Sequence, residues 1–182
     1  MQSDYIAEEL AWLDELMTRT SNRKLFRIAK RSEILEALLL RWKNENRLTL
    51  LNDLADKYGE EEVFTVIDRI IETNLKHDWR ITGEEKGNAF ERFMELLWVP
   101  LLDEGFEYTC EKQGNQTVFC VKKCPVFEAA KQMNAEKWLY HLTCLTDGPS
   151  VTGFNDKIVF SRTKTLMQGH EYCDHCYTDT SK

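Results

Sequence analysis

The sequence predicts an α+β fold, in which a helical N-terminal layer packs with a small antiparallel sheet and one late helix. Three observations favour this class. Apolar residues recur at helical spacing through the first hundred residues. Short segments rich in aromatic and β-branched residues begin only after Gly105. Helical spacing then returns once, over residues 127–144. We expect a single domain over residues 1–182, mainly helical over 1–103 and cysteine-rich and sheet-containing over 104–182.

Helices account for the first part of the chain. The predicted spans are residues 5–18, 24–43, 48–58 and 60–77, followed by a helix that begins after Asn88. The fourth span is the clearest, because its apolar side chains form one stripe. Gly59 is expected to end the third helix, and Gly83 and Gly87 are expected to break the chain after the fourth. Pro100 is expected to kink or end the fifth helix.

The second part contains the predicted strands. Residues 106–112 and 117–123 are joined by a short connection that contains Gly114-Asn115, which indicates a β-hairpin. After the helix over residues 127–144, Asp147-Gly148-Pro149 predicts a loop. Alternation of side-chain types over residues 158–167 then predicts a third strand.

Composition narrows the class of function. The net charge is −7, with 42% hydrophobic and 30% charged residues, which is typical of a folded protein and unfavourable for non-specific nucleic-acid binding. No apolar run approaches the roughly 18 residues of a spanning helix. The start of the chain has no basic segment followed by an apolar one, so no secretory signal is predicted. We expect a cytoplasmic protein with no membrane partner.

A basic segment offers an alternative function. Residues 19–43 carry eight Lys or Arg against two acids, and residues 51–71 loosely resemble a helix-turn-helix. The helix that would enter DNA carries acids, which repel phosphates: Glu60, Glu61, Glu62, Asp68 and Glu72. We therefore expect no nucleic-acid partner. The basic helix should bury its apolar face and leave its cations in solvent. That apolar face includes Phe26, Leu35, Leu38 and Leu39.

The six cysteines are the residues that most strongly suggest a chemical function. In a reducing compartment, cysteines are thiols, metal ligands or nucleophiles more often than disulfides. Cys120 and Cys124 form a CxxxC pair, and Cys173 and Cys176 form a CxxC pair. Two such pairs can complete a zinc site, but two cysteines four apart on one strand lie roughly 13 Å apart. No cofactor is predicted, and a thiolate-bound zinc ion remains an open alternative.

Nucleophilic catalysis requires fewer residues: a thiolate, a base or cation beside it, and donors for a developing oxyanion. Cys124, Cys144 and Cys173 are the candidate nucleophiles. His141 lies three residues before Cys144, so on one helix the two side chains would share a face. Arg162 and Lys164 are candidates to lower a thiol pKa or to bind a carboxylate. We expect Gly169 to let the backbone turn so that amide groups face a ligand.

The C-terminal third resembles a known family. Gly153-Phe154-Asn155-Asp156-Lys157-Ile158 is followed by Arg162-Thr163-Lys164-Thr165-Leu166-Met167, then by Gly169 and by Tyr172-Cys173-Asp174. Together with Cys124-Pro125 and Cys144, this pattern is similar to that of the L-2-amino-thiazoline-4-carboxylic acid hydrolase family, most clearly over residues 90–177. The chain differs from the family pattern at His175, where an aromatic residue is usual, and at the additional Cys176.

The resemblance implies a hydrolase of a small cyclic C–N compound. In the reaction that gives the family its name, water adds to the ring carbon of an aminothiazoline carboxylate. The ring then opens at sulfur to give an N-carbamoyl cysteine. The positions that match the family are Cys124, Cys144, Gly169 and Cys173, with Asn155 and Arg162 in the flanking signature.

The roles that we assign follow from this match. Cys173 is the first candidate for nucleophile or ligand, Cys124 and Cys144 line the same pocket, and Arg162 binds a substrate carboxylate. The tail also resembles vinyl-reductase-type small-molecule-binding domains, so a sensing domain without turnover stays open beside the metal site and the DNA-binding regulator. The expected partner is a small molecule, and a homo-oligomer remains open.

Overall fold

A computed structural model describes residues 29–181 together with Asp14, Glu15 and Arg19. From Ala29 onwards the α-helices are α1 Ala29–Arg41, α2 Arg47–Tyr58, α3 Glu60–Lys86, α4 Phe90–Asp103, α5 Pro125–Gln132, α6 Glu136–Leu142 and α7 Asp147–Phe154. The strands are β1 Glu107–Gln113, β2 Gln116–Lys123, β3 Ile158–Ser161 and β4 Cys173–Asp179. Two short 3₁₀ helices span Cys144–Thr146 and Leu166–Gln168. The predicted α+β class is confirmed.

Contacts between Cα atoms divide the chain into two compact units, Met1–Asn74 and Leu75–Lys182, with the boundary inside α3. Whether the chain functions as the single domain predicted from sequence stays a prediction. The described part of the chain contains no helix that is long and apolar enough to cross a membrane.

The first unit contains α1, α2 and the beginning of α3. In α1 the apolar face is buried as predicted at Leu35 and Leu38, whereas Leu39 is half-buried. Phe26, the predicted helix over residues 5–18 and the first residues of the predicted span 24–43 lie outside the described range. Arg31 of α1 is half-buried and pairs with Glu62 at 2.6 Å, so this cation neutralises an acid of α3.

The second unit is built on a four-stranded antiparallel sheet with the order β1-β2-β4-β3. The predicted hairpin of β1 and β2 is confirmed, and Gln113 pairs with Gln116 across its turn. Sequence patterning did not find β4, although β4 lies in the interior of the sheet between β2 and β3. Side chains of β4 alternate between buried and half-buried, beginning with buried Cys173. The buried face of β4 packs into the core of this unit.

That core is mainly aromatic. The rings of Trp98 and Phe119 stack in parallel with their centroids 3.9 Å apart. Phe93 of α4 lies 5.1 Å from Phe154 of α7 and 5.9 Å from Tyr177 of β4. Aromatic side chains bury large apolar areas and therefore dominate core energetics. This packing holds α4 and α7 against the buried face of the sheet.

The helix boundaries near the glycines differ from the prediction. Gly83 lies inside α3, where a Cβ atom would meet the Phe154 carbonyl oxygen at 2.9 Å. The glycine thus permits a close approach of α7 rather than breaking the helix. Gly87, with φ +84°, does follow the end of α3. In α4 the N-cap is Ala89 rather than Asn88, and Pro100 lies within the helix instead of ending it.

Three further predictions were wrong in the second unit. The predicted helix over residues 127–144 is two helices, because Asn134 adopts the left-handed conformation at φ +51°. The Ala135 amide then donates to the Ala130 carbonyl at 2.9 Å, a Schellman-type helix end. The predicted loop at Asp147-Gly148-Pro149 is the first turn of α7, where proline is tolerated. The predicted strand 158–167 ends at Ser161.

Candidate active site

A buried charged group lies where β4, α7 and the segment after β3 meet. Arg162 follows β3, and its side chain is only 7% exposed. Its Nη1 donates to Asp147 Oδ2 in the first turn of α7 and lies 3.2 Å from His175 Nε2 on β4. Its Nη2 donates to the Cys144 carbonyl oxygen at 2.7 Å. His175 Nε2 also lies 3.4 Å from Asp147 Oδ2. We call these three side chains the Asp147–Arg162–His175 cluster.

The local sequence explains how each member is placed. Asp147 is the first residue of α7, where a carboxylate is favoured by the helix dipole. His175 occupies a buried position in the alternation of β4 and pairs with Phe119 across the sheet. Arg162 enters from the point at which β3 ends. Asp174 Oδ1 accepts a hydrogen bond from the Thr163 amide at 2.9 Å there and ties the chain back to β4.

Burial and pairing set the charges of the cluster. Burial opposes ionisation of Asp147, but the hydrogen bond from His175 and the charge of Arg162 outweigh it and lower the pKa of Asp147 below its usual value. Burial likewise opposes the charge of Arg162, and the carboxylate of Asp147 more than compensates, so the pKa of Arg162 is raised. The cluster therefore contains an ionised carboxylate beside a guanidinium at neutral pH.

Two of the predicted thiols, Cys144 and Cys173, interact electrostatically with Arg162 and Asp147, and Cys124 interacts with Cys144. Cys173 Sγ is buried and accepts a hydrogen bond from the Leu166 amide at 3.2 Å. Cys124 caps the N-terminus of α5, where its Sγ accepts from the Phe127 amide at 3.4 Å. Charges at Arg162, Cys124 and Cys173 all act on the pKa of Cys144. The three thiols and Arg162 are therefore electrostatic neighbours, and the single pocket that we expect the thiols to line stays a prediction.

The protonation of these thiols differs from our expectation. Burial raises the pKa of Cys144 to about 12, although Arg162 lowers it. Burial also raises the pKa of Cys173, and it outweighs the Leu166 amide and Arg162, which both lower it. The expected donors are thus present at Cys173, but burial raises the pKa of its thiol above the ordinary value. Both thiols are neutral at pH 7.

Four other predicted site residues have structural contacts. Asn155 ends α7, donates to the Asn88 carbonyl at 2.7 Å and accepts from the Lys157 amide at 2.8 Å. None of these contacts of Asn155 involves the Asp147–Arg162–His175 cluster, so its role in substrate binding stays a prediction.

Lys164, Gly169 and His141 are placed by local geometry. Lys164 Nζ donates to the Tyr172 hydroxyl at 2.7 Å and lies over that ring. Gly169 ends a 3₁₀ helix in the left-handed conformation at φ +86°, as its predicted turn requires. The helix that contains His141 ends at Leu142, so the helical face that it was predicted to share with Cys144 does not exist.

The cysteine pairs do not converge as a zinc site. Cys173 and Cys176 are three apart on β4, so their side chains project from opposite faces of the sheet. In the described residues, no group of three or more His, Cys, Asp or Glu side chains is arranged to hold a metal ion. The alternation of β4 therefore accounts for the CxxC spacing without a metal.

Sequence reasoning missed Asp147 and His175. Asp147 was assigned to a loop because it precedes Gly148-Pro149, a pair typical of turns. His175 was noted only as a departure from the family pattern, where an aromatic residue is usual. The signal that identifies its role is the period of two over Cys173, His175 and Tyr177, which predicts a strand with one buried face.

A sequence model of the L-2-amino-thiazoline-4-carboxylic acid hydrolase family matches residues 42–177, which is more than half of the 182-residue chain. The matched range includes the whole Asp147–Arg162–His175 cluster and the thiols beside it. No curated protein and no solved structure matches the chain.

Proposed function

The chain belongs to the L-2-amino-thiazoline-4-carboxylic acid hydrolase family, and we propose that it hydrolyses a small cyclic C–N compound of the aminothiazoline-carboxylate type. The observation that carries this proposal is the buried Asp147–Arg162–His175 cluster beside Cys144 and Cys173. A base, a carboxylate that orients it and a cation for an anionic substrate are the groups that such a hydrolysis requires.

The proposed chemistry is addition followed by ring opening. A water oxygen bonds to the ring carbon that carries sulfur and both nitrogens, while a base takes one proton from the water. The electron pair of the carbon–nitrogen double bond goes to the ring nitrogen, which takes the second water proton from the new hydroxyl group as the carbonyl forms. The carbon–sulfur bond then breaks, its electron pair goes to sulfur, and sulfur takes up the proton held by the base. The product is a free thiol with an N-carbamoyl group. Atoms and charge balance without an oxidant or a cofactor.

His175 is the proposed base. Two groups face His175 Nε2: Nη1 of Arg162, which can only donate, at 3.2 Å, and Oδ2 of the ionised Asp147 at 3.4 Å. We assign the tautomer in which a proton on Nε2 points at the carboxylate and Arg162 Nη1 donates to Asp147 alone. That tautomer leaves Nδ1 as the basic nitrogen. A carboxylate behind an imidazole orients the ring and stabilises the imidazolium that forms, as in other His-dependent hydrolases. His175 thus takes the role that the sequence argument gave to His141.

Arg162 is proposed to bind the substrate carboxylate, as the family signature implies. Its hydrogen bonds to Asp147 and the Cys144 carbonyl come from Nη1 and Nη2, which leaves Nε–H for a further acceptor. Since the guanidinium is 7% exposed, a carboxylate that reaches it is desolvated and strongly attracted. Cys144 and Cys173 are neutral and supply a soft apolar wall for the ring sulfur.

The test is direct turnover in ¹⁸O-labelled water. Purified protein is incubated with L-2-amino-thiazoline-4-carboxylate, and the product is followed by mass spectrometry. We expect N-carbamoyl cysteine that carries one ¹⁸O, and we expect His175→Gln to lower kcat by roughly 100-fold or more. His77 is exposed, so His77→Gln is the matched control and should leave kcat unchanged.

Two outcomes contradict the proposal. Absence of the labelled product with the wild-type protein excludes this substrate. Ligand binding by calorimetry without any product supports the sensing domain instead. Equal kcat values for His175→Gln and His77→Gln would leave the hydrolase intact but remove His175 as its base.

A further inference from the structure

Three buried polar atoms in the second unit make no hydrogen bond to any residue that the structure describes. They are the indole Nε1 of Trp98, Nδ1 of His175 and the hydroxyl of Tyr177. Their residues are 3%, 8% and 0% exposed, respectively. Buried polar groups nearly always have a partner, because an unpaired one loses its bonds to water without compensation. Three such atoms in one place indicate a bound polar molecule.

The three side chains are mutual neighbours. The Trp98 ring meets His175 edge-on with centroids 5.1 Å apart, and it meets Tyr177 edge-on at 6.2 Å. His175 and Tyr177 are two residues apart on β4 and project from the same face. The three side chains therefore border one buried region.

The charged cluster adjoins this place. Burial raises the pKa of Tyr177 well above its usual value, and the charge of Asp147 raises it further, whereas the Trp98 side chain and Arg162 lower it. The Tyr177 hydroxyl is thus within electrostatic range of both ions and of the indole. Trp98 Nε1 and that hydroxyl do not meet the geometry of an ordinary hydrogen bond, although the indole is close enough to lower the pKa of Tyr177 through hydrogen bonding. The unpaired atoms and the proposed base share one buried region.

The available donors and acceptors identify the ligand. Trp98 Nε1 is only a donor, and the Tyr177 hydroxyl both donates and accepts. When His175 donates from Nε2 to Asp147, its Nδ1 is only an acceptor. A molecule that accepts one hydrogen bond and donates another to an imidazole nitrogen matches this set. Water does so, and a buried water usually has about three polar partners.

We propose that Trp98, His175 and Tyr177 bind a water molecule, and that this water is the nucleophile of the hydrolysis. The second part rests on the proposed function. Trp98 Nε1–H donates to the water oxygen, His175 Nδ1 accepts one of its protons, and Tyr177 fixes its orientation. As the oxygen bonds to the ring carbon, that proton passes to His175 Nδ1 and later to the departing sulfur. The Trp98 donor then binds the oxygen that becomes the carbamoyl oxygen.

The first experiment needs no substrate. Oxygen-17 relaxation dispersion counts water molecules with long residence times inside a protein. We expect Tyr177→Phe to contain one such water fewer than the wild type. Tyr108→Phe is the matched control, since the Tyr108 hydroxyl donates to the Trp98 carbonyl at 2.8 Å and has a protein partner. That variant should keep the wild-type count. An unchanged count in Tyr177→Phe overturns the water site.

The second experiment measures turnover. We expect Tyr177→Phe to lower kcat roughly 10-fold to 100-fold with KM within about twofold, because the change affects the nucleophile rather than substrate binding. Trp98→Phe removes the indole donor, and it is the alternative variant for the same measurement if Tyr177→Phe does not fold. Loss of the water with kcat within twofold of wild type overturns the nucleophile role. A wild type that turns nothing over refutes the proposed function, while the water count still decides whether the site exists.

Discussion

Asp147→Asn removes the charge that compensates buried Arg162, and we expect a large loss of stability. The two side chains are 16% and 7% exposed, so solvent screens the unpaired guanidinium poorly. Breaking a buried ion pair by removing one partner costs about 3–5 kcal/mol. At about 2–4 °C for each kcal/mol in a chain of this size, Tm should fall by roughly 6–20 °C. Thermal unfolding followed by circular dichroism measures this shift.

A matched exposed pair provides the control. Arg92 and Glu95 lie 2.9 Å apart with side chains 42% and 63% exposed, so Glu95→Gln should cost at most about 1 kcal/mol. Adding Arg162→Met to Asp147→Asn removes the unpaired cation and should restore part of the lost stability. If Asp147→Asn costs no more than Glu95→Gln, the cluster is not a coupled buried pair and the electrostatic argument for the site fails.

Three shorter predictions follow from the same geometry. Cys173 is buried and its thiol pKa is raised, whereas Cys110 is exposed. An alkylating agent at neutral pH should therefore label Cys173 more slowly than Cys110, which peptide mass mapping measures. Faster labelling of Cys173 would restore its role as a nucleophile. Gly153→Ala should destabilise by about 1–3 kcal/mol in urea unfolding, because its Cβ would lie 2.5 Å from a backbone oxygen of α3. Gly148→Ala is the control and should leave the free energy of unfolding unchanged, because a Cβ atom at Gly148 would have no neighbour within 4 Å. The pKa of Asp147 is lowered in the folded state, so the carboxylate stabilises the fold above a pH of about 4, and this contribution should be lost as the pH falls further. The Tm of the wild type should therefore fall more steeply below a pH of about 4 than the Tm of Asp147→Asn. Equal slopes for the two proteins would contradict this.

The elements that local patterns specify were predictable from sequence. The α2 helix spans Arg47–Tyr58 against a predicted 48–58, because Gly59 at φ +92° can end it where other residues cannot. The hairpin of β1 and β2 was found because Gly114-Asn115 suits a two-residue turn. Each of these features depends on residues within a few positions of one another.

The elements that tertiary contacts specify were not predictable in the same way. Gly83 resembles a helix breaker in sequence, and only the approach of Phe154 explains its presence inside α3. Strand β3 ends at Ser161, earlier than predicted. The Thr163 and Lys164 amides, which a longer strand would use in the sheet, donate instead to the side chain of Asp174, eleven residues after Thr163. No local window contains both partners of either contact.

The same distinction explains why the candidate site was only partly predicted. Sequence reasoning ranked the thiols first, since cysteine is chemically conspicuous wherever it stands. The structure buries Cys173 and half-buries Cys144, and their raised pKa values make them neutral lining rather than charge carriers. A neutral, poorly solvated lining lowers the local dielectric and so strengthens the interaction of Asp147 with Arg162 and His175. The cysteines of the family signature therefore support the charged cluster through burial, and we place the reactivity in that cluster.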